Sequence, residues 1–188
     1  MKGQGWTGVV LAGGRSSRMG RDKALIEVDG RMLLDRALDK LDAHCIELLV
    51  IGEPEKYGHA GPCVIADEWP GKGPLGGIAT AMRYASNDRL LVIACDMPAL
   101  NERLFDVLKA LLGPAADAVV PRHEGRIEPL AAAYHRSARP AFRRCVELDV
   151  LKMSDALSQV RTRFIEVIPG SDGWPPDLFR NINAPGDL

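Results

Sequence analysis

Residues 7–23 read TGVVLAGGRSSRMGRDK, and this stretch decides the fold. Its first six residues form a mainly apolar run, which predicts a strand buried on both faces of a sheet. The run ends at the paired glycines Gly13 and Gly14, and basic residues follow them. A glycine-rich turn directly after a first parallel strand lies at the carboxyl edge of an α/β sheet, where ligands bind. We therefore expect a ligand site at this edge.

Short apolar runs and helical patterns alternate along the rest of the chain. Further strands are predicted at residues 47–51, 63–66, 89–94, 117–120, 130–134 and 163–168. Helices are predicted at residues 32–44, 74–85, 101–112, 137–148 and 154–160. This alternation predicts an α/β fold, a Rossmann-like three-layer sandwich with a mostly parallel central sheet. We expect one domain over residues 1–188.

The composition excludes several classes of protein. Lys and Arg total 24 and Asp and Glu total 25 among 188 residues, so the formal net charge is −1. A protein that coats nucleic acid would carry a basic excess. The hydrophobic share of 46% and the charged share of 26% are typical of globular chains. No stretch approaches the ~20 apolar residues of a membrane span. We therefore expect neither a nucleic acid nor a membrane as partner.

The four cysteines, at positions 45, 63, 95 and 145, form no C-x-x-C pair. This spacing disfavours a zinc site or a redox dithiol and favours reduced thiols. The apolar run near the N-terminus is too short for the apolar region of a signal peptide. The sequence therefore predicts a cytoplasmic protein.

The loop after the first strand concentrates positive charge. Arg15, Arg18, Arg21 and Lys23 place four cations within nine residues, next to glycines whose backbone N–H groups can approach an anion closely. The pattern is neither the Walker motif nor the dinucleotide fingerprint G-x-G-x-x-G. It favours a site for a diphosphate or triphosphate. The alternative is a solvated loop with scattered charges.

The elements LAGG, RMG and DK in residues 11–23 resemble the signature loop of nucleotidyltransferases that use a nucleoside triphosphate. The version RMGRDK resembles the molybdenum cofactor guanylyltransferases of the MobA type. The resemblance implies a single nucleotidyltransferase domain that transfers GMP from GTP to the terminal phosphate of molybdopterin or molybdenum cofactor and releases pyrophosphate. It implies Mg²⁺ as cofactor, and it points to molybdenum-insertion proteins and molybdoenzymes as partners.

The same resemblance assigns roles within the loop. Arg18 and Lys23 would neutralise the triphosphate and the departing pyrophosphate, and both are predicted catalytic residues. Arg18 is preferred to Arg15 and Arg21 because it matches the family through RMG. The residues predicted to contact the nucleotide here are Leu11, Ala12, Gly13, Gly14 and Lys23.

A carboxylate follows the predicted strand at residues 89–94. Asp96 stands in the segment Cys95-Asp96-Met97-Pro98, at the same edge of the sheet as the basic loop. A carboxylate at this position can hold Mg²⁺ against phosphate oxygens. The segment resembles the family's C-D-x-P segment, which carries its metal-binding aspartate. Asp96 is therefore a predicted catalytic, nucleotide-binding and metal-binding residue. The alternative is an aspartate that stabilises a turn.

A second glycine segment, GPLGGI at residues 73–78, follows Asp67. It resembles the segment that lines the nucleotide pocket in the family. Asp67 is predicted to accept hydrogen bonds from the guanine edge or the sugar, and Gly76 is predicted to contact the nucleotide. The alternative is a turn followed by an ordinary helix N-terminus.

The C-terminal residues and one strand suggest the acceptor side. Asn181 and Asn183 alternate along an extended segment, so their amides share one face and can bind a phosphate or a metal-bound water. The segment resembles the family's ending N-x-N-T-P-E-D-L, although Ala184 and Gly186 depart from it. Arg126 is predicted to contact the pterin. The alternatives are a polar turn for the asparagines and a surface position for Arg126.

One departure concerns the nucleotide itself. The family often has an asparagine just after its second strand, where this chain has Gly-Glu-Pro-Glu at residues 52–55. The choice between GTP and CTP is therefore left open, and a related cytidylyltransferase or another small nucleotidyltransferase remains an alternative. A nucleotide-binding module without catalysis is the alternative from a different class.

Overall fold

The computed structural model describes residues 5–12, 22–61 and 63–182. Its strands are β1 (Trp6–Leu11), β2 (Glu27–Val28), β3 (Arg31–Met32), β4 (Glu47–Ile51), β5 (Cys63–Ile65), β6 (Arg89–Ala94), β7 (Ala118–His123), β8 (Arg126–Ile127), β9 (Ala131–His135) and β10 (Thr162–Glu166). Its α-helices are α1 (Leu33–Asp42), α2 (Pro54–Tyr57), α3 (Gly73–Tyr84), α4 (Glu102–Leu111), α5 (Arg139–Glu147) and α6 (Met153–Leu157). Short 3₁₀ helices span Lys23–Leu25, Gly58–Ala60 and Arg136–Ala138.

A single large sheet organises the described residues. Its strand order is β10-β7-β9-β6-β1-β4-β5, and β8 pairs with β7 outside this path. β1 lies at the centre and pairs in parallel with both β4 and β6. β9 runs antiparallel between β6 and β7. The predicted α/β fold with a mostly parallel central sheet is therefore confirmed.

Helices cover both faces of the sheet, because alternate strand residues point to opposite faces. Val10 of β1 packs in a core with residues of α1 and α4, whereas Val9 packs in a second core with residues of α3, α5 and α6. The result is the expected three-layer sandwich. None of the helices that the described residues form is long and apolar enough to cross a membrane.

The parallel strands bring several predicted site residues to one edge. β1, β4, β5 and β6 run in the same direction, so their carboxyl ends meet there. The β2–β3 hairpin, the short helix α2 and strand β8 were not predicted. All three are shorter than the window in which hydrophobic periodicity can be recognised.

Candidate nucleotide-binding site

Two predicted catalytic residues meet at the carboxyl edge of the sheet. Asp96 follows β6, and Lys23 begins the 3₁₀ helix Lys23–Leu25. The Lys23 Nζ lies 3.2 Å from Asp96 Oδ2, and the two side chains are 25% and 19% exposed. Although 73 residues separate them in the chain, the fold forms an ion pair that solvent or a ligand can reach.

Leu11 and Ala12 occupy the end of the central strand. Leu11 is the last residue of β1, and the backbone N–H of Ala12 continues the ladder by donating to the carbonyl of Ile51 at 3.0 Å. Both side chains are buried, at 8% and 7% exposure. The backbone of this pair therefore reaches the site while the side chains belong to the core. Gly13, Gly14, Arg18 and Asn183 lie outside the described residues, and their predicted roles remain predictions.

Asp67 holds the turn that precedes α3. Its Oδ1 accepts a hydrogen bond from the backbone N–H of Trp69 at 3.0 Å and another from the Thr80 hydroxyl at 2.9 Å. The Thr80 oxygen in turn accepts from the backbone N–H of Glu68 at 3.1 Å. The carboxylate is thus fixed in orientation at the carboxyl edge, after β5. Its predicted contact with the base or sugar remains a prediction.

Gly76 is buried in the first turns of α3. A methyl group at this position would lie 2.9 Å from the Cβ of Trp69 and 3.0 Å from its carbonyl oxygen. Those separations are too short for ordinary contacts, so glycine is needed for α3 to approach the turn. This packing explains part of the GPLGGI pattern without any ligand, and the predicted contact with the nucleotide remains a prediction.

The C-terminal segment runs past Asp96. The backbone N–H of Ile182 donates to the carbonyl of Asp96 at 2.8 Å, and the Ile182 side chain is buried. The neighbouring Asn181 is exposed. Arg126 is also exposed and is paired across the β7–β8 hairpin with His123. Asn181 and Arg126 thus lie on elements that reach the same edge, with no direct contact between them among the described interactions.

An open groove of about 630 Å³ lies beside these residues. Its walls come from the ends of β7 and β10 and from the C-terminal segment. His123 stacks on Phe179 there, with 4.8 Å between ring centroids, and its Nε2 lies 2.8 Å from Glu128 Oε1. Because β7 lies two strands from β6, the groove is about 10 Å across the sheet from Asp96.

Cys95 is not a nucleophile in this site. Burial, followed by the nearby charges of Asp96 and Asp22, raises the pKa of the Cys95 thiol to about 12. The thiol therefore stays protonated near neutral pH, and the thiolate is the nucleophilic form. Its buried position next to β6 agrees with a packing role.

Asp96 supplies the chemistry that a divalent cation needs. Its carboxylate oxygens are hard donors of the kind that hold Mg²⁺ together with substrate phosphates. Within the described residues its side chain accepts a hydrogen bond from Lys23 alone, which leaves lone pairs for a ligand. No group of three His, Cys, Asp or Glu side chains in the described ranges is arranged to hold a metal ion.

Comparison with known proteins identifies the family. Residues 8–162 match the MobA-like NTP transferase domain. The chain belongs to this family. The predicted family is confirmed, and with it the prediction of a nucleotidyltransferase. Membership in the MobA-like NTP transferase family also suggests dependence on a divalent metal ion.

Relatives extend this likeness over almost the whole chain. The chain is 34% identical to a probable molybdenum cofactor guanylyltransferase of Bacillus licheniformis, over 96% of this chain and 93% of that protein. It is 35% identical to a protein of the same description from Halalkalibacterium halodurans, over 96% and 94% of the two chains. The crystal structure of molybdopterin-guanine dinucleotide biosynthesis protein A from Archaeoglobus fulgidus is 26% identical, with a TM-score of 0.73 over 86% of this chain and 83% of that one.

One residue at this edge was not singled out from the sequence. Tyr57, the last residue of α2, is 2% exposed and contacts both Ala12 and Asp22. The signal that could have drawn attention to it is a lone tyrosine shortly after the second parallel strand, but nothing in its surroundings indicates which residues it contacts.

Proposed function

We propose that this protein transfers GMP from GTP to the terminal phosphate of molybdopterin or molybdenum cofactor and releases pyrophosphate. The observation that carries the proposal is the Lys23–Asp96 pair, which lies at the carboxyl edge of the sheet in a chain of the MobA-like NTP transferase family. Relatives at about 34% identity are named as probable molybdenum cofactor guanylyltransferases, which supports guanine as the base and the pterin as the acceptor.

The reaction needs no nucleophile from the protein. An oxygen of the acceptor's terminal phosphate attacks the α-phosphorus of GTP, and a new P–O bond forms. The bond from the α-phosphorus to the oxygen that bridges to the β-phosphorus breaks, and that oxygen leaves with pyrophosphate. The protein therefore accelerates the reaction by positioning the two phosphates and by stabilising their charge.

The predicted site residues divide this work between them. The Lys23 ammonium binds the triphosphate and stabilises the charge that develops on the leaving pyrophosphate. Arg18 is proposed to add a second cation. The Asp96 carboxylate would hold Mg²⁺, and the bound ion would offset the negative charge of the phosphates.

Asp67 and Gly76 belong to the proposed nucleotide side. Asp67 Oδ1 is held by the backbone N–H of Trp69 and by the Thr80 hydroxyl, so the carboxylate keeps a fixed orientation at this edge, and it is proposed to bind the base or the sugar. Leu11, Ala12, Gly13 and Gly14 are proposed to approach the triphosphate with their backbone.

The acceptor is proposed to lie on the other side of Asp96. The groove next to His123 and Phe179 has room for a planar ring system, and Arg126 is paired with His123 at its rim. Asn181 and Asn183 are proposed to bind the acceptor's phosphate, because Ile182, their neighbour in the sequence, donates its backbone N–H to the carbonyl of Asp96 beside the site. Molybdenum-insertion proteins and molybdoenzymes are proposed as partners, and the cytoplasm as the location.

The test is release of pyrophosphate by the purified protein. Reactions with GTP, CTP, ATP or UTP would each be run with and without molybdopterin, at several Mg²⁺ concentrations. We expect pyrophosphate release that requires GTP, molybdopterin and Mg²⁺ together. The matched control is the Asp96→Asn variant, whose folding would be checked by thermal unfolding.

Each other outcome contradicts a stated part of the proposal. Turnover with CTP and not with GTP would replace the guanylyltransferase with a cytidylyltransferase. Binding of GTP without pyrophosphate release under any of these conditions would leave a nucleotide-binding module. Turnover that does not require a divalent cation would remove the metal from the mechanism.

A further inference from the structure

Arginine is concentrated in a second part of the chain, within and just before α5. This cluster spans nine residues and consists of Arg136, Arg139, Arg143 and Arg144. Arg136 belongs to the fold, because its guanidinium group donates to the backbone carbonyls of Ala85 and Asn87. The proposed reaction uses none of the other three arginines, so their concentration needs a separate explanation.

Two arginines of the cluster line a small pocket between α3 and α5. Arg139 and Arg143 are four residues apart, which places them on one face of α5. The pocket has a volume of about 160 Å³. Pockets that bury a drug-sized ligand have ~300–1,000 Å³, so this one suits a small ion or a single charged group. Its lining residues are Glu68, Trp69, Ala79, Arg83, Arg139 and Arg143.

One carboxylate lines the pocket, and its charge is already paired. Glu68 Oε1 accepts a hydrogen bond from the Arg83 guanidinium at 2.5 Å and another from the Tyr84 hydroxyl at 3.0 Å. The side chains of Glu68 and Arg83 are 24% and 54% exposed. Because an ion pair that is open to solvent is weak, Arg83 can also contact an anion in the pocket at little cost.

The two arginines of α5 add positive charge that the pocket does not neutralise. The Arg139 guanidinium forms no hydrogen bond or ion pair with any residue in the described ranges. Arg143 donates through its Nε to Glu147 at 2.7 Å, one turn further along α5, and within those ranges its terminal nitrogens have no acceptor. With three guanidinium groups and one carboxylate in its lining, the pocket has an excess of two positive charges.

The pocket is distinct from the site that contains Lys23 and Asp96. Arg139 follows β9, whose last residue pairs with Arg89 at the start of β6. Asp96 follows the opposite end of β6, which is six residues long, so about 20 Å of strand separates the two edges. None of the residues that line the pocket was predicted to contact the nucleotide.

The chemistry of the lining favours one class of ligand. Each guanidinium group presents paired N–H donors that match two oxygens of an oxyanion. A phosphate dianion matches the excess of two charges, and its tetrahedral oxygens can accept hydrogen bonds from several arginines at once. We propose that the pocket formed by Arg83, Arg139 and Arg143 binds a phosphate group, as a second anion site of this protein.

The test measures phosphate binding at Trp69, which lines the pocket. The chain contains three tryptophans, so labelling with 5-fluorotryptophan gives three fluorine NMR resonances, and Trp69→Phe identifies the one from Trp69. Potassium phosphate would be titrated at constant ionic strength, because salt screens exposed charges. We expect a saturable shift of the Trp69 resonance with a Kd of about 1 mM, which corresponds to weak binding.

Arg139→Gln is the variant that tests the site. It should raise the Kd for phosphate about tenfold, the usual effect of one lost hydrogen bond between charged groups. Arg144→Gln is the matched control, because it removes the same charge from an exposed position of α5 that does not line the pocket. Its phosphate affinity should equal that of the wild type. Lys23→Gln should also leave this affinity unchanged.

Further titrations identify the source of the phosphate group. Pyrophosphate, GMP and acetate would each be compared between the wild type and Arg139→Gln. Tighter binding of pyrophosphate than of GMP would indicate a free ion, and tighter binding of GMP would indicate a phosphate monoester. Either result supports the site. Tighter binding of acetate than of phosphate would overturn its assignment to phosphate.

Two results would overturn the proposal itself. One is a Trp69 resonance that shows no saturable shift, or an equal phosphate affinity in the wild type and Arg139→Gln. The other is a response that Lys23→Gln abolishes and Arg139→Gln preserves, because the anion would then bind at the nucleotide site. Neither measurement requires turnover of GTP, so a failure of the proposed function would leave this test valid.

Discussion

Two aspartates at opposite edges of the same sheet use their charge differently. Asp117, just before β7, accepts hydrogen bonds from the backbone N–H, Nε and a terminal guanidinium nitrogen of Arg161, at 3.0, 2.9 and 2.8 Å, and from the Ser137 hydroxyl at 2.5 Å. Asp96, just after β6, accepts one side-chain hydrogen bond from the part of the chain that the structure describes, from Lys23 at 3.2 Å. One carboxylate is saturated by the protein, whereas the other keeps lone pairs for a ligand.

This difference in hydrogen bonding indicates that Asp117 stabilises the fold, whereas Asp96 is available to bind a ligand. Arg161 precedes β10, so its bonds to Asp117 hold the first residues of β10 and β7 together, and the two strands pair in parallel from that point. At the carboxyl edge, satisfying Asp96 fully would have stabilised the fold and removed the site. Natural sites commonly retain such incompletely satisfied groups, at some cost in stability. The comparison predicts that substitutions at the two aspartates have opposite consequences.

The largest effect is expected from Asp96→Asn. The substitution keeps the shape of the side chain but removes the charge that would hold the metal and pair with Lys23. Turnover should fall by about 10²–10³, as for the loss of one preorganised charge-stabilising group. Pyrophosphate release at saturating GTP would be measured as a function of Mg²⁺ concentration.

The stability of Asp96→Asn should stay within about 0.5 kcal/mol of the wild type in urea unfolding, because the lost contact is a single, partly exposed ion pair. Unchanged metal-dependent turnover would remove Asp96 from the mechanism. A large loss of stability would instead make Asp96 a structural residue like Asp117.

Asp117→Asn should show the reverse pattern. It weakens several hydrogen bonds to a charged partner, and about 2 kcal/mol of the free energy of unfolding should be lost. Turnover of the folded variant should not change. The matched control is Asp149→Asn, which removes an exposed partner of Lys72 and should cost less than about 0.5 kcal/mol. Equal losses in the two variants would show that the Asp117 network contributes no more than a surface ion pair.

The pH dependence of stability sharpens this result. The hydrogen bonds from Arg161 hold the pKa of Asp117 well below its usual range, so the unfolded chain takes up a proton at this residue before the folded protein does. The contribution of Asp117 is therefore fully present above about pH 5 and declines as the pH falls below the unfolded pKa of about 3.9. Urea unfolding at pH 7 and pH 3 should show the gap between the wild type and Asp117→Asn narrowing at pH 3. A constant gap would contradict this origin.

The smallest effect is expected from Gly76→Ala, at the carboxyl edge. The added methyl group would press against Trp69, and we expect a loss of about 1 kcal/mol of stability, with a changed Trp fluorescence. Gly58→Ala is the control, because nothing lies within 4 Å of its added carbon and its φ of −58° suits alanine. Weaker GTP binding in Gly76→Ala without any loss of stability would favour a direct contact with the nucleotide over a packing role.

The elements that were predicted closely are those with a strong local pattern. The strands Glu47–Ile51 and Arg89–Ala94 agree with their predicted bounds, because continuous apolar runs bounded by polar residues are recognisable in the sequence. The helix predicted at residues 101–112 also begins as expected, and the Asn101 side chain caps it by accepting from the backbone N–H of Leu104 at 3.1 Å. Asp96 was found because it directly follows a clear strand. Lys23 was found because it belongs to the basic loop.

The contacts that were missed join residues that are far apart in the chain. Tyr57 contacts residues 45 and 35 positions away, and Asp117 contacts Arg161 44 positions away. No local pattern marks these pairs, because each depends on where the sheet places the ends of separate elements. Gly52 was likewise interpreted as a departure from the family, whereas the structure shows that it makes room for the Tyr57 ring.

The sequence by itself determined the alternation of strands and helices, the basic loop after β1 and the carboxylates that follow β5 and β6. Those features depend on local periodicity and on the chemistry of neighbouring residues. Only the tertiary structure decided that Lys23 pairs with Asp96, that Tyr57 contacts Ala12 and Asp22 and that Asp117 is saturated by Arg161. The physical reason is that a hydrogen bond requires donor and acceptor atoms within about 3 Å of each other. The order of the strands in the sheet decides which residues distant in sequence come that close.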